Sequence, residues 1–535
     1  MKQWRTWLAL TLVALLAAIP LTAEQTAAQT RAPQSGGTLS FGYIARPRSL
    51  DPNIWTGTSD NMLMRQIYDP LIWSPRSGIY VPGLAAAWTI SKDGLTYTFT
   101  LRQDVKFHDG TPFNAAAVKF MFDRIADPAS RSLQRPAIGS FDRAEVVNEY
   151  TVSVHLKEPF APFIANLAGT ALSPTSPTAV QRLRDNFAQA AVGTGPFMFE
   201  KWEGNDLHLV RNPDYKWAPA FMGHQGPAYL ERLVWKTIPE AATRMIALQR
   251  GEATAVHFPA LDQVADFKKN SNFQVFRKDT PGHPKSMPIN IKRAPTDDLR
   301  VRQAILYAID RQKVIDLVQF GNAEVAYGPF TRFTPFYNAA VKRYYPYNKA
   351  KAVELLEAAG FKTVRDGVRT KGSQRLRLEM IGFASGVNQQ LGEVVQAMLT
   401  EVGFEVAFDV TGYDAFAKRV TDSTYNLSEI NFTGLDPNVP AFLMYHSSQI
   451  TGGGQFNRTR VAESKLDAMI DTGLRATELR QRKAAYEEFQ IYAMDNALLL
   501  PLYDNSWLTI ARKEVQGMTF DQEGRWLFYT VWLQR

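Results

Sequence analysis

The chain has 535 residues, of which 45% are hydrophobic and 21% are charged, and its formal net charge is +8. At about 100–200 residues per domain, this length predicts two to four domains. The sequence contains no cysteine, which excludes thiol nucleophiles, cysteine zinc sites, iron–sulfur clusters and disulfides. Its 60 basic residues include no run of five or more Lys or Arg. Such dispersed charge is typical of a solvated surface, so we expect no nucleic-acid partner.

The first 28 residues have the pattern of an export signal. Lys2 and Arg5 precede an apolar or small stretch over residues 7–23, as in a secretory signal peptide. Residues 26–28 (TAA) fit the small-x-small rule for cleavage, so we predict a cleaved signal peptide at 1–28 and a disordered leader at 29–36. Without cysteine no lipid anchor can form at the cleavage site. We therefore expect a free protein of the periplasm.

The first half of the chain predicts half-buried strands and one strand–helix–strand unit. Alternating hydropathy predicts strands over residues 38–43, 95–101 (LTYTFTL) and 150–156. The unit has a strand over 230–238, a helix over 240–250 that ends at Gly251, and a strand over 254–258. Because such a unit joins neighbouring strands of equal direction, it predicts a parallel or mixed sheet.

A second unit of this kind occupies residues 376–410. It has a strand over 376–383, a helix over 388–402 that ends at Gly403, and a strand over 404–410. Two such units, far apart in the chain, predict two α/β lobes. The turn-rich residues 280–284 (TPGHP) mark the boundary between them.

One long helix is predicted over residues 299–320, between the two units. Asp297 and Asp298 supply its N-cap, and Gly321 ends it. An apolar stripe is expected to face the core. The predicted solvent face carries Arg300, Arg302 and Arg311.

Motifs for catalysis or cofactor binding are missing from the sequence. It has no Walker loop, no G-x-S-x-G, no H-E-x-x-H and no G-x-G-x-x-G. No two of its seven histidines lie within five positions, which excludes a His pair on one helical turn. Residues 193–196 (GTGP) predict a structural turn, because Pro196 removes a backbone donor that a phosphate cradle would use. We therefore expect no enzyme activity and no metal, nucleotide or organic cofactor.

A series of short motifs runs along almost the whole chain after the leader. In order they are residues 36–39 (GGTL), 50–52 (LDP), 68–71 (YDPL), 82–85 (PGLA) with Trp88, 93–102 (DGLTYTFTLR), 105–112 (VKFHDGTP), 193–197 (GTGPF), 211–215 (RNPDY), 301–304 (VRQA) and 308–310 (AID). Each motif is weak alone. The ordered set resembles the family 5 extracellular solute-binding proteins of bacterial ABC importers, which include oligopeptide-, dipeptide- and nickel-binding proteins.

This resemblance implies an α/β, periplasmic-binding-protein-like fold, with two α/β lobes joined by a hinge and an extra subdomain in the N-terminal lobe. On this sequence we place lobe I at residues 37–283 and 503–535, its inserted subdomain at about 55–190, and lobe II at 284–502. The implied function is that of a periplasmic receptor that captures a solute by hinge closure. It would deliver the solute to ABC permease subunits in the inner membrane, and we expect it to be a monomer.

The resemblance also bears on the solute, which we expect to be an oligopeptide or a dipeptide. Peptide-binding relatives hold the ammonium group with an aspartate in a Trp-containing loop just before an acidic-Pro pair. The matching residues are 431–437 (NFTGLDP), where Phe432 replaces the tryptophan and Leu435 occupies the place of the carboxylate. Asp436 is either a substitute anchor or a helix cap before Val439.

A non-peptide solute stays open as the alternative: an opine, a sugar, another organic solute or a nickel chelate. Nickel-binding relatives use an arginine at the place of residues 172–175 (LSPT), where this chain has none. Two further functions also stay open on sequence alone. A secreted hydrolase would turn over substrate, and a chaperone-like or surface-interaction protein would bind unfolded chains without lobe closure.

The solute-binding residues are expected to come from both lobes. The expected residues are Tyr43 and Trp55 from lobe I, and Tyr413, Asn431, Phe432 and Asp436 from lobe II. Aromatic faces with a few polar groups are the usual lining of a small-molecule site. For each of the aromatic residues, core packing is the competing interpretation.

Overall fold

The computed structural model describes residues 32–535 except residues 56, 77 and 452–455, and without the side chains of residues 58, 59, 386 and 413. The predicted signal peptide and residues 29–31 of the predicted leader lie outside the described residues. Gly36, at the end of that leader, donates its N–H to the carbonyl of Tyr229 at 2.7 Å. Over the described part of the chain, no helix has both the length and the apolar character needed to cross a membrane.

A mixed seven-stranded sheet is the largest sheet of the described chain. In spatial order its strands are Phe273–Asp279, Ser506–Arg512, Ala255–His257, Thr38–Tyr43, Arg232–Thr237, Asp206–Arg211 and Phe197–Glu203. Thr38–Tyr43 is parallel to both of its neighbours, and the outer pairs are antiparallel. The mixed sheet predicted from the first strand–helix–strand unit is confirmed.

A four-stranded antiparallel sheet lies in the segment between the first strand and residue 197. Its strands in spatial order are Ala85–Ile90, Thr96–Leu101, Thr151–Leu156 and Phe141–Asn148. The alternation predicted for residues 95–101 is confirmed, because Tyr97, Phe99 and Leu101 are buried. One apolar core joins this sheet to the seven-stranded sheet, so the inserted segment has no separate core.

A second apolar core lies within residues 287–503. At its centre Arg377–Phe383 lies between Glu405–Thr411 and Leu427–Ser428 and is parallel to both. The helix Gly386–Thr400 connects the first two of these strands, and Gly403 has the positive φ of 97° that was predicted for its end. A three-stranded antiparallel sheet adjoins them, with the strands Ile430–Thr433, Gly282–Pro288 and Leu499–Tyr503.

The remaining elements pack around these two cores and around two smaller apolar clusters, one of which holds Ala241–Arg250 and Val264–Lys269 against the seven-stranded sheet. The α-helices in chain order are Thr58–Ile67, Ala115–Ala126, Phe163–Leu167, Pro177–Leu183, Ala241–Arg250, Val264–Lys269, Leu299–Ala308, Arg311–Val318, Lys349–Ala358, Gly386–Thr400, Tyr413–Thr421, Ser464–Arg475 and Leu479–Asp495. Smaller antiparallel sheets are formed by Ile72–Arg76 with Ile79–Pro82, by Thr363–Arg365, Val368–Lys371 and Gln374–Arg375, by Val515–Gln516 with Trp532–Leu533, and by Thr519–Phe520 with Trp526–Leu527.

The prediction of one helix over residues 299–320 is wrong. The chain forms two helices, Leu299–Ala308 and Arg311–Val318, because the Asp310 side chain accepts hydrogen bonds from the N–H groups of Gln312 and Lys313 and so caps a new helix. The predicted solvent face is also partly wrong. Arg302 and Arg311 are buried, since their guanidinium groups donate to the carbonyls of residues 296, 297, 326, 345 and 496.

The chain passes between the two cores at two neighbouring places. It leaves the strand Phe273–Asp279 for the second core at residues 280–281, and it returns to the seven-stranded sheet at residues 504–505. Thr280 donates its N–H to the carbonyl of Asn505 at 3.0 Å, and the Asn505 side chain donates to the carbonyl of His283 at 2.8 Å. These hydrogen bonds join the two crossings side by side.

Candidate functional site

The carboxyl ends of the parallel strands in both cores border the two crossings. In the seven-stranded sheet, the carboxyl ends of Thr38–Tyr43 and Ala255–His257 lie at the same edge as the start of Ser506–Arg512, which directly follows the second crossing. In the second core, the parallel strand Leu427–Ser428 is followed by the antiparallel strand Ile430–Thr433, whose end pairs with Gly282 directly after the first crossing. Small molecules bind at such carboxyl edges in α/β folds. Apolar side chains are exposed at these edges, namely Ile44 (37%), Phe383 (41%) and Val387 (41%).

Trp55 lies in the loop that follows the first strand. Its indole N–H donates to Asp60 Oδ2 at 2.8 Å, and the guanidinium of Arg48 lies over its ring, 5.3 Å from the centroid. The ring itself is half-buried. Trp55 is therefore a fixed, half-buried aromatic surface in this loop.

Tyr43 lies in the core beneath that edge, with no exposed surface. Its ring packs 4.6 Å from Trp235 and 5.5 Å from His257, measured between centroids. The strand period explains this position, because Leu39, Phe41 and Tyr43 share one buried face. In this conformation Tyr43 supports the edge from behind and offers no surface to a solute.

Asn431 and Phe432 lie in the strand Ile430–Thr433 beside the first crossing. Phe432 is half-buried and packs edge-on against Phe456 with centroids 5.2 Å apart, and its carbonyl accepts a 3.4 Å hydrogen bond from Asn505. Asn431 is exposed. Because neighbouring residues of a strand point to opposite faces, these two side chains do not line the same surface.

Asp436 is buried and already bonded within the protein. Its Oδ1 accepts hydrogen bonds from Arg482 Nη2 at 2.5 Å and from the N–H of Asn438 at 2.8 Å. The second bond closes a turn and is not the helix cap considered from the sequence, because the helix at Val439 has Asn438 as its N-cap residue and no side-chain cap bond. Burial raises the pKa of Tyr80, and the nearby Asp436 carboxylate raises it further. In the described structure this carboxylate neutralises Arg482, from which it would have to separate to hold an ammonium group.

Tyr413 opens the helix Tyr413–Thr421, which begins after the strand Glu405–Thr411 at the same carboxyl edge. Its side chain lies outside the described residues. Of the expected site residues, Tyr43 and Asp436 are enclosed by their own neighbours, and the assignment of all six to a solute site stays a prediction.

A buried polar cluster beside this edge has no signal in the sequence. Lys285 Nζ donates to Glu429 Oε2 and to Asn388 Oδ1, the latter at 2.7 Å, and Asn388 donates back to Glu429 Oε1 at 3.1 Å. Burial raises the pKa of Tyr503, with a smaller contribution in the same direction from Glu429. The members come from three distant segments, so only the fold brings them together.

A second cluster of charged groups lies at the crossings. Asp504 is 2% exposed, and its Oδ2 lies 3.4 Å from Arg332 Nε. Arg332 also pairs with Glu324 at 2.5 Å, and Glu324 lies 3.7 Å from Arg277 in the strand that enters the first crossing. Burial raises the pKa of Asp504 to about 7. In the described part of the chain, no three His, Asp or Glu side chains are placed to hold a metal ion.

The inserted segment also touches the second core. Ala161 donates its N–H to the carbonyl of Leu474 at 2.9 Å, and Glu158 pairs with Arg475 at 3.4 Å. The two cores are thus linked both by the crossings and by this contact.

The chain belongs to the bacterial extracellular solute-binding proteins of family 5. The sequence model of that family, described as "Bacterial extracellular solute-binding proteins, family 5 Middle", matches residues 80–453. The family resemblance predicted from the ordered motifs is confirmed. This is a family of binding proteins, and the chain carries its solute-binding architecture.

Two curated relatives are similar over most of their length. The glutathione-binding protein GsiB of Salmonella typhi is 28% identical over 477 residues, which covers 88% of this chain and 89% of the relative. The nickel-binding periplasmic protein of Escherichia coli K12 is 27% identical over 487 residues, covering 88% of this chain and 90% of the relative.

Solved structures confirm the predicted fold class. NikA from Brucella suis in complex with Fe(III)-EDTA superposes with a TM-score of 0.83 at 26% identity, covering 93% of this chain and 100% of that one. The periplasmic binding protein DppA from Helicobacter pylori, in complex with the peptide STSA, gives a TM-score of 0.79 at 27% identity, covering 94% and 99%. The fold is α/β and periplasmic-binding-protein-like, with two lobes joined by a hinge.

Proposed function

We propose that this protein is the periplasmic receptor of an ABC importer and that its solute is a peptide. The observation that carries the proposal is the position of an edge of each core beside the paired crossings, which would provide a hinge and two binding surfaces. The names of two similar proteins support the solute class, because one binds glutathione, a peptide, and another is in complex with the peptide STSA. The same receptor with a non-peptide solute is the alternative.

The proposed lobes follow the two cores. Lobe I comprises residues 37–283 and 503–535 with the subdomain at about 55–190, and lobe II comprises residues 284–502. The separate apolar cores support this division. The chain also passes from one sheet to another at residues 280–281 and 504–505. The solute would bridge the edges, and closure would bury it and present both lobes to the permease. Export through a signal peptide at 1–28 and a monomeric state complete the proposal.

The proposed contact residues follow from the positions of the side chains. Trp55 and Phe432 offer half-buried aromatic faces. The exposed amide of Asn431 lies on the opposite face of its strand from Phe432 and would reach the solute only at the rim of the site. Tyr43 and Asp436 would support the two edges from behind, and Tyr413 would contribute from the helix start beside them. This is an apolar site with few polar groups, as small-molecule sites usually are.

A thermal-shift screen of the ligand-stripped protein tests the proposal. A ligand that binds only the folded state stabilises it by RT ln(1 + [L]/Kd), about 2.7 kcal/mol at a hundredfold excess over Kd. Di- to pentapeptides and glutathione should raise the melting temperature, and they should be recovered uncleaved after incubation. A shift from opine, sugar or nickel-chelate pools alone would select the alternative, and cleaved peptide would indicate an enzyme.

Phe432→Ala should weaken peptide binding at least tenfold while lowering the melting temperature only slightly. The ring is half-buried, so its loss costs less stability than a core phenylalanine, whereas a ring that packs on the solute contributes about 1.5–3 kcal/mol to binding. Calorimetric titration measures the affinity. Phe221→Ala is the matched control, because Phe221 is 44% exposed and packs edge-on against Trp73 at 5.9 Å in another part of the protein. Equal affinities for both variants would remove Phe432 from the site.

A further inference from the structure

An exposed arginine lies on the Trp55 ring without a carboxylate of its own. The guanidinium of Arg48 is 5.3 Å from the centroid of Trp55, and the residue is exposed. Within the described part of the chain, no Asp or Glu lies within ion-pair distance of that guanidinium. A guanidinium over an indole face is held by cation–π attraction, and its N–H donors match the geometry of a bidentate carboxylate partner.

The buried carboxylate of Asp60 holds the Arg48 backbone and the Trp55 ring in place but forms no ion pair with the Arg48 guanidinium. Asp60 Oδ1 accepts the backbone N–H of Arg48 at 2.7 Å, and Oδ2 accepts Trp55 Nε1 at 2.8 Å and the N–H of Gly57 at 3.0 Å. A side chain at Gly57 would meet Oδ2 at 2.6 Å, so the loop requires glycine there. The arginine backbone and the tryptophan ring are therefore held by one anchor, while the guanidinium stays free for a further partner.

Two charged pairs in the second core are matched within the protein. Asp436 pairs with Arg482 at 2.5 Å, and Lys285 pairs with Glu429 in the buried cluster. Leu435, which stands between Asp436 and the strand that carries Phe432, is uncharged. In the loop that holds Trp55, neither Arg46 nor Arg48 forms an ion pair among the described residues. Arg46 lies over Trp202 and donates to Gln189 Oε1 at 3.1 Å, whereas Arg48 lies over Trp55.

We propose that Arg48, stacked on Trp55, binds a carboxylate of the solute, so that the receptor selects solutes carrying a free carboxylate. Guanidinium and carboxylate form a pair of parallel, charge-assisted hydrogen bonds, and Trp55 would contact the atoms next to the carboxylate. This inference rests on the proposed function and adds the charge class of the solute. It predicts that a peptide acid binds better than the same peptide as an amide.

Calorimetric titrations with four probes test the inference: glutathione, trialanine, trialanine amide and succinate. Wild type should bind trialanine at least tenfold tighter than its amide, and Arg48→Gln should reduce that preference to less than threefold. Arg48→Lys keeps the charge but loses the planar donors, so it should recover only part of the preference. Arg343→Gln is the matched control, because Arg343 is exposed over Tyr344 at 5.4 Å outside the site, and it should bind all probes as wild type does.

Each contrary outcome has a separate meaning. Equal binding of trialanine and its amide, or a preference that survives in Arg48→Gln, would overturn the carboxylate inference and leave the peptide receptor intact. Binding of succinate alone, lost in Arg48→Gln, would support the carboxylate site and contradict the peptide solute. Failure of all carboxylates to bind wild type would overturn both.

Discussion

Replacing Asp436 by alanine should lower the free energy of unfolding by about 3–5 kcal/mol, because it leaves the buried guanidinium of Arg482 without its partner. The two groups form a 2.5 Å ion pair, with 4% and 11% of their side chains exposed. The same change also removes the hydrogen bond that caps the turn at Asn438. Urea denaturation at pH 7 measures the effect as a lower midpoint with an unchanged slope.

Asp409→Ala is the matched control for this prediction. Asp409 also pairs with an arginine, Arg419, at 2.9 Å, but half of its side chain is exposed (51%). Exposed pairs of this kind contribute at most about 1 kcal/mol. If Asp436→Ala were no more destabilising than Asp409→Ala and yet abolished peptide binding, Asp436 would be the solute anchor and its role in stability would be contradicted.

Asp504→Asn should remove a large part of the pH dependence of stability between pH 5 and pH 8. Burial at the crossings raises the pKa of Asp504 to about 7, against 3.8 when it is unperturbed. Between these two pKa values, the folded protein keeps a proton on Asp504 that the unfolded chain has released. The contribution of this protonated carboxyl group to the free energy of unfolding is therefore complete below about pH 4 and is lost as the pH rises through about 7.

From the folded and unperturbed pKa values of Asp504, we expect the free energy of unfolding of the wild type to fall between pH 5 and pH 8. The fall should be about 2–3 kcal/mol relative to Asp504→Asn. The charged and titratable groups around Asp504 are Arg332, Glu324, Asp279, Arg277 and Tyr337, and all of them stay in the variant. Denaturant titrations at both pH values measure the change. Asp266→Asn, whose side chain is 83% exposed, should follow the wild type. An Asp504→Asn protein with the pH profile of the wild type would show that this carboxyl group titrates normally.

The sequence predicts the sheets well because strand and helix periods are local properties. The strand–helix–strand unit over residues 376–410 follows from these periods, and its two strands pair in parallel. The strand Thr38–Tyr43 was also expected, but its parallel pairing on both sides was not, because its partners lie far along the chain. The helix break at Asp310 was missed because one capping side chain competes with an otherwise continuous apolar stripe. Arg302 was misplaced because its carbonyl partners include Asn496, far along the chain.

In the candidate site, strand period is a local property of the sequence, whereas the partners of charged groups depend on the folded core. The strand period alone separates Asn431 from Phe432 and buries Tyr43 with Phe41, so these positions can be deduced from the sequence. The partners of charged groups cannot be deduced in this way. Asp436 pairs with Arg482, and Lys285 pairs with Glu429, only after the second core has folded, so the sequence alone does not show that the Asp436 carboxylate is already bonded.

The measurement that tests the central claim most directly is the distance between the lobes with and without a bound peptide. Since the sequence has no cysteine, Asn205→Cys in lobe I and Lys418→Cys in lobe II create a unique pair of labelling sites, both exposed. A saturating peptide that raises the melting temperature should shorten the distance measured by energy transfer, and Phe432→Ala should need at least ten times more peptide for the same change. A peptide that binds with no change in this distance would contradict capture by hinge closure.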